Sequence, residues 1–322
     1  MNLKNQIKKI LTGLTVPQEY VCLNSTDFSY PLSVIYSSEK IKLNVTSSQL
    51  FIGYKPLILA LTFKVSDQTY QGVKNQNQIT LDFENPNTLT PTCLARLELK
   101  KISNRILDDT AILFYEGIKG EHHFLSSFHQ WINHQREKLR KDIPSNVSLP
   151  GNLIDQVRIA YSIPREISTI TVSDGNLMNM FPTDLHGPIG EKFYSGSLRL
   201  GGLANNQIEK YQKIVISEVE PSFYKQAYSL GKNHMQNLRR ENEFELHKIR
   251  SKTFNFPLPT AVISYRELKR VDSIDVGIHR IHLYETIHRE ILQDRISPLT
   301  HIHQFYTQWR LDKGLQTPIL LR

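Results

Sequence analysis

The chain reads as mainly β with some α, arranged as two tandem barrels that pair within one polypeptide, and three observations lead there. The first is a repeat: residues 96–118 reappear as 265–287, with Leu99 against Leu268, Lys100 against Lys269, Ile112 against Ile281, Tyr115 against Tyr284 and Glu116 against Glu285, all 169 positions apart. The second is an earlier block that repeats at a spacing of 135, matching Ser33 with Ser168, Ile35 with Ile170, Ser38 with Ser173, Asn44 with Asn179 and Ile79 with Ile214. The two spacings differ by 34 residues, which places an insertion in the second copy. The third is the rhythm of short strands with few helices, which favours a barrel over a doubly wound sheet. Two copies are too few for a solenoid, which needs about three units. They suit a pseudo-symmetric pair in which one chain stands in for two subunits.

Element by element, the first copy offers β-branched and aromatic runs at 32–36, 40–46, 57–64, 79–83, 93–102 and 110–118, punctuated by turn residues at Asn24, Gly53, Asp67 and Asn85-Pro86. The second offers strands at 167–172, 177–181, 192–200, 214–219, 260–270 and 280–287. A helix is expected after the last strand of each copy, at 124–140 and 300–312. Each carries His-Gln-aromatic, as His129-Gln130-Trp131 and His303-Gln304-Phe305. The expected domains are 1–142 and 153–322, joined by a linker at 143–152 that is rich in Pro, Ser, Asn and Gly. Within the insertion, at 224–255, Leu230, His234, Leu238, Phe244, Leu246 and Ile249 recur at helical spacing among many charges. That pattern predicts one or two amphipathic helices packed over a barrel end, with a lid over a site as the functional alternative.

Composition narrows the field. At 322 residues the chain fits two domains, each long enough to bury a core, and 39% apolar with 22% charged residues is ordinary for a globular protein. The longest apolar run, 56–63, is far short of a membrane span. Lys4, Lys8 and Lys9 before Ile10 and Leu11 suit a short amphipathic helix better than a signal peptide. Cys22 and Cys93 are the only cysteines, so neither a disulfide framework nor a thiolate zinc cluster can be assembled, and a reducing cytoplasmic setting is expected. The net charge of +8 raises nucleic acid as a partner. The basic stretches 136–141 and 239–252, however, interleave with Glu137, Glu241 and Glu245, the mark of a solvated helix face, and nucleic acid stays a minor alternative.

The chemistry-bearing residues fall in an order. The second copy runs from a strand at 167–172 through the turn Asp174-Gly175, Asn179 and Phe181-Pro182-Thr183-Asp184 to a strand at 193–200; then come Asn205-Asn206 opening a helical turn, a strand at 214–219, and much later Gly277-Ile278-His279. The first copy supplies Asn44-Val45-Thr46-Ser47-Ser48 and then Lys55-Pro56 leading an apolar strand. Together these resemble the flavin reductase-like, FMN-binding split β-barrel family, and the resemblance covers most of both halves. It implies two split barrels forming an intrachain pseudo-dimer, with FMN in a groove at the interface and NAD(P)H as a possible substrate. It further implies that Phe181, Pro182, Thr183, Asp184 and Leu185 lie along the flavin ring and that Asn205 and Asn206 stand near the phosphate. Arg199 would supply positive charge, with Lys64 as its counterpart at the 135 spacing, while Thr46, Ser47 and Ser48 form the first copy's hydroxyl loop. His279 is the implied redox-site residue, placed to hydrogen-bond the ring or seat a nicotinamide. Its counterpart at the 169 spacing is Thr110, and Glu39-Lys40 stands where the second copy has Asp-Gly, so the copies have diverged.

The twelve histidines invite a metal reading at His279-x-x-His282, His301-x-His303 and His122-His123. Odd spacing on a strand would put His279 and His282 on opposite faces, and His301 and His303 would part company on a helix, so surface or core histidines are favoured. Two functions from different classes follow: an FMN-binding, NAD(P)H-dependent flavin oxidoreductase, or a split-barrel protein without flavin that serves as a binding or scaffold module.

Overall fold

The computed structural model describes residues 3–24, 28–38, 41–86, 92–139 and 147–320. Glu39, Lys40, Arg140, Lys141 and the first four positions of the expected linker, 143–146, lie outside these. The first half contains α1 (Leu3–Thr12), β1 (Tyr20–Asn24), β2 (Ser33–Ser37), β3 (Lys42–Asn44), β4 (Gln49–Tyr54), β5 (Leu57–Lys64), α2 (Gln68–Val73), β6 (Gln78–Asn85), β7 (Thr92–Leu107), β8 (Thr110–His122) and α3 (Ser127–Lys138). The second begins with α4 (Leu153–Ala160), β9 (Arg165–Glu166), β10 (Ser168–Ser173), β11 (Met178–Thr183), β12 (His186–Ile189), β13 (Phe193–Arg199), α5 (Leu203–Tyr211) and β14 (Lys213–Val219). It continues through α6 (Tyr224–Ser229), β15 (Leu246–Arg250), β16 (Pro257–Pro259), β17 (Val262–Val276), β18 (His279–Ile291), β19 (Leu299–His303), α7 (Gln304–Asp312) and β20 (Ile319–Leu320).

The molecule is mainly β, and its two large sheets share one strand order. One runs β3-β2-β6-β7-β8-β5-β4, the other β11-β10-β14-β17-β18-β13-β12. Irregularities match as well: the β7–β8 ladder slips between Glu98 and Leu99 and between Lys101 and Ser103, and the β17–β18 ladder slips between Glu267 and Leu268 and between Arg270 and Asp272. Bulges of this kind bend a strand where the sheet must curl.

Side-chain alternation explains why β5 and the first part of β8 read as near-continuous apolar runs: both faces of each are buried. Leu57, Leu59 and Leu61 of β5, with Leu113 and Tyr115 of β8, fill the core of the first half. Between them on the other face, Ile58, Ala60, Ile112 and Phe114 join Phe193, Ile281 and Leu283 in a cluster that seals the two sheets together. At one end of this seam the β17–β18 turn docks on the β4–β5 turn, where Ile278 N–H donates to the Lys55 carbonyl at 3.1 Å. At the other end Lys192 reaches Asp108 at 2.9 Å, and Gly190 faces the Thr110 hydroxyl. The two ends are thus closed by exchanged turns.

Three sequence expectations need correction. In register, Tyr36 pairs with Leu81 while Ile170 pairs with Ile216, so Tyr36, not Ile35, holds the place of Ile170. Matching residue type misled by one position, because Val34 and Tyr36 are the core-facing residues. The expected helix 300–312 begins only at Gln304, since residues 299–303 pair with β1 as a strand. There His303 caps α7, with Nδ1 accepting the Phe305 N–H, whereas His129 lies inside α3. The insertion is not one amphipathic helix. It holds the short α6, 3-10 turns at Leu230–Met235 and Glu241–Glu243, and the β15–β16 pair. Phe256 and Leu258 pack with Val215 and Tyr265 on the outer face of the second sheet, and this tertiary contact overrides helical spacing.

The halves also differ inside. At matching registers the first half places Val34, Leu59, Phe83, Ala95 and Leu97 in its core, where the second has the buried Ser168, Tyr194 and Ser264 and the half-buried Glu218 and Arg266. Nearby Glu166 is pushed up to about 7 by burial and by the Glu218 charge.

Gly277 has φ +57, and a Cβ there would strike the Lys55 carbonyl, whereas Gly175, at φ +100, faces open space. Each alanine variant meets a left-handed penalty of about 1–2 kcal/mol, but only Gly277→Ala must also separate the docked turns. Urea denaturation is expected to show Gly277→Ala at least about 1 kcal/mol less stable than Gly175→Ala; equal midpoints would mean that the turn docking is slack.

Candidate functional site

A cavity of about 1000 Å³ opens beside the seam and draws its walls from both halves. Tyr20 on β1 and Tyr54 at the end of β4 come from the first half. Tyr161, Asp184, Arg199, Tyr228 and His301 come from the second, and α3 with residues 147–152 forms a further wall. A smaller adjoining cavity of about 220 Å³ is lined by Pro182, Thr183, Asp184, Tyr228, His234 and His301.

Asp184 organises the shared floor. Its Oδ2 accepts the Tyr161 hydroxyl at 2.7 Å and His301 Nε2 at 2.9 Å. Burial alone would raise this carboxyl, but the hydrogen bond and charge of His301, the Tyr161 hydrogen bond and the His186 charge outweigh it and hold the group at about 2. His301 in turn lies 3.2 Å from the Tyr228 hydroxyl through Nδ1, and the Tyr20 and Tyr161 rings pack against its imidazole at 5.6 and 5.2 Å. Burial pushes the Tyr20, Tyr54 and Tyr161 phenols up, so all three stay protonated. Tyr54 also shares a hydrogen bond with Arg199.

The residues singled out in the sequence divide. Asp184 and Arg199 line the main cavity, and Pro182 and Thr183 line the smaller one. His279 stands just behind: its ring meets the Tyr54 ring edge-on at 4.5 Å, Nδ1 lies 3.3 Å from the Ser197 hydroxyl, and Nε2 is buried without a partner. Burial, with the Arg199 charge, pushes His279 down to about 4, so the imidazole is neutral at pH 7. Phe181 and Leu185 are core residues instead. Asn205 is buried and already engaged, donating to the Arg199 carbonyl while its Oδ1 pairs with His282 Nε2 at 2.8 Å; Asn206 is exposed on α5. Thr46, Ser47, Ser48 and Lys64 line neither cavity. Thr46 instead accepts the Val34 N–H and donates to Asn44, fixing a turn.

Sequence reasoning passed over Tyr20, Tyr54, Tyr161, Tyr228 and His301. Only the His301-x-His303 spacing carried a signal, and reading it on a helix hid that a strand turns both rings toward Tyr20, at 5.6 and 5.7 Å. Among the described residues no group of three or more His, Cys, Asp or Glu is placed to hold a metal ion, and no helix is long and apolar enough to cross a membrane.

No family model matches the chain, and no curated protein matches it. Among solved structures, the NADH:FAD oxidoreductase of Streptomyces globisporus is similar over 51% of this chain and 95% of its own, at 12% identity and a TM-score of 0.42. The flavin reductase component of a bacterial two-component tryptophan halogenase is similar over 52% and 97%, at 14% identity and 0.41. An FMN-binding protein from Thermus thermophilus is similar over 51% and 91%, at 13% identity and 0.38. Likenesses so partial leave the cavity's own residues as the ground for a functional reading.

Because the folded Asp184 carboxyl titrates below its ordinary 3.8, the stability it contributes is present above that pH and is lost as the pH falls toward 2. The stability gap between the native chain and Asp184→Asn is therefore expected to narrow by about 2 kcal/mol between pH 6 and pH 2. Paired urea titrations at the two pH values measure it, and a gap that does not change with pH would show that Asp184 is not held ionised.

Proposed function

We propose that the chain is a tandem pair of split β-barrels acting as an intrachain pseudo-dimer, whose interface cavity holds FMN for NAD(P)H-dependent flavin oxidoreduction. One observation carries this reading: Asp184 and Arg199 from one half and Tyr54 from the other, with His279 behind it, converge on a single cavity at the seam. The shared strand order and matched bulges support the duplication, with bounds near 1–142 and 153–322.

The residues present suit a flavin nucleotide at its ring end. About 1000 Å³ is ample for a cofactor, and the protonated tyrosines offer flat faces and donors. The orphaned Nε2 of His279 lies behind that wall. When bound, the flavin supplies hydride transfer. Asp184, kept ionised, would be an acceptor for the ring end, and Arg199 would offer its guanidinium to a phosphate. The neutral His279 braces Tyr54, which fixes the plane of the aromatic wall, and Trp131 and Leu149 on the facing wall help to exclude water.

A second reading, a binding module without flavin, draws on two observations. The insertion runs along β11, where Asn233 donates to the Met180 carbonyl and His234 Nε2 meets the Pro182 carbonyl at 2.8 Å, so that part of the face assigned to the ring is covered. The hydrogen-bonding capacity of Asn205 is also spent internally.

Fluorescence titration with FMN and with riboflavin separates the two readings. FMN is expected to bind, and Arg199→Ala is expected to weaken FMN about tenfold or more while leaving riboflavin unchanged, as loss of a charge-assisted phosphate contact predicts. Failure of both flavins to quench would favour the binding module.

A further inference from the structure

The cavity contains an ordered chain of three polar groups, Tyr228, His301 and Asp184. The Asp184 carboxylate can only accept, and His301 Nε2 stands 2.9 Å from it, so Nε2 carries a proton. A neutral imidazole protonated there presents a lone pair at Nδ1, the atom 3.2 Å from the Tyr228 hydroxyl. In the neutral state of this imidazole the Tyr228 O–H is the donor and His301 Nδ1 the acceptor. Tyr161 cannot take this place, since its own proton goes to Asp184 at 2.7 Å. The His301 side chain is only 7% exposed, and the rings of Tyr20 and Tyr161 hold its plane. The arrangement has the logic of a hydroxyl, imidazole and carboxylate triad, with a phenol in the hydroxyl position.

Each member arrives from a different element. Asp184 sits on the β11–β12 turn, His301 on β19, and Tyr228 on α6 within the long connection between β14 and β17. Tyr228 and His301 face both cavities, as Asp184 does. The connection from β6 to β7 in the first half is far shorter, so the long insertion delivers a functional group found in one half only.

We propose that Tyr228, His301 and Asp184 form an acid–base relay that exchanges a proton with a small molecule bearing an ionisable hydroxyl or a polarised carbonyl. In the forward step the ligand O–H gives its proton to Tyr228 Oη as the phenol's own proton moves to His301 Nδ1. The ligand leaves as its conjugate base, the imidazolium faces the Asp184 carboxylate, and no electrons are exchanged. The reverse step protonates a ligand oxygen. Tyr228 is the group that touches the ligand; His301 and Asp184 are positioning residues. The relay does not rest on flavin binding, and a failed FMN titration leaves it standing.

Acetylation by N-acetylimidazole tests the relay without a ligand. It reports the nucleophilicity of each phenol in the intact chain, and peptide mass spectrometry assigns the rates. Tyr228 is expected to acetylate faster than Tyr30, a reference side chain that is 52% exposed, despite being half-buried itself. Asp184→Asn and His301→Gln are each expected to slow Tyr228 about tenfold, the equivalent of one unit of phenol acidity, while Tyr30 keeps its rate. If Tyr228 reacts no faster than Tyr30 in the unaltered chain, the relay is overturned, whatever the variants do. It is equally overturned if Tyr228 reacts faster but both variants, folded by near-ultraviolet circular dichroism, leave its rate unchanged.

Discussion

Ile58, Ile112 and Phe114 meet Phe193, Ile281 and Leu283 on the outer faces of β5, β8, β13 and β18, and this contact decides what the remaining parts can do. A sheet with one face on its own core and the other on a second sheet has no solvent side in its central strands. Neither sheet can be exposed without uncovering a broad apolar surface, at roughly 25 cal/mol for each Å². The same contact fixes the turns at both ends of the seam, and one of them, β4–β5, carries Tyr54 to the cavity rim beside Arg199. Geometry at the site is thus inherited from packing some distance away.

Because β5 and the first part of β8 are apolar on both sides, they are the easiest to read. The strand 57–64 agrees at both ends, and 110–118 begins where β8 begins. The tips of the long hairpins were harder: β7 continues to Leu107 through Ser103, Asn104 and Arg105, where exposed polar residues erase the alternation that marks a half-buried strand. β4 was missed because Gly53 reads as punctuation, although the turn it precedes is only two residues long. The site was legible where it follows the chain, at 182–184 and Arg199. It was opaque where it is assembled across it, since Tyr20, Tyr161, Tyr228 and His301 lie on four segments with no common spacing. Asn205 shows the converse error: an amide in the expected place is spent on the neighbouring backbone and on His282.

The two halves share one topology while their interiors differ. Phe83 and Leu97 in the first correspond by register to Glu218 and Arg266 in the second, and the buried hydroxyls of Ser168 and Ser264 have no partner there. Interior polar groups of this kind weaken a core unless they are satisfied. The first half is then the better hydrophobic anchor, and the second, with its insertion, carries the polar chemistry.

The four-stranded sheet, ordered β20-β1-β19-β9, sets β1 between two strands from the far end of the sequence. A symmetric homodimer loses its interface on dilution, because association is a mass-action equilibrium. Here both partners of the interface are tethered, and the interleaved β1 gives the pairing a direction: a first half cannot substitute for a second, because it does not contain β19. Cutting the chain near residue 150 would yield two fragments suited to complement each other and not to pair with themselves. The walls that the two halves give to the cavity are held together by the covalent chain at any protein concentration.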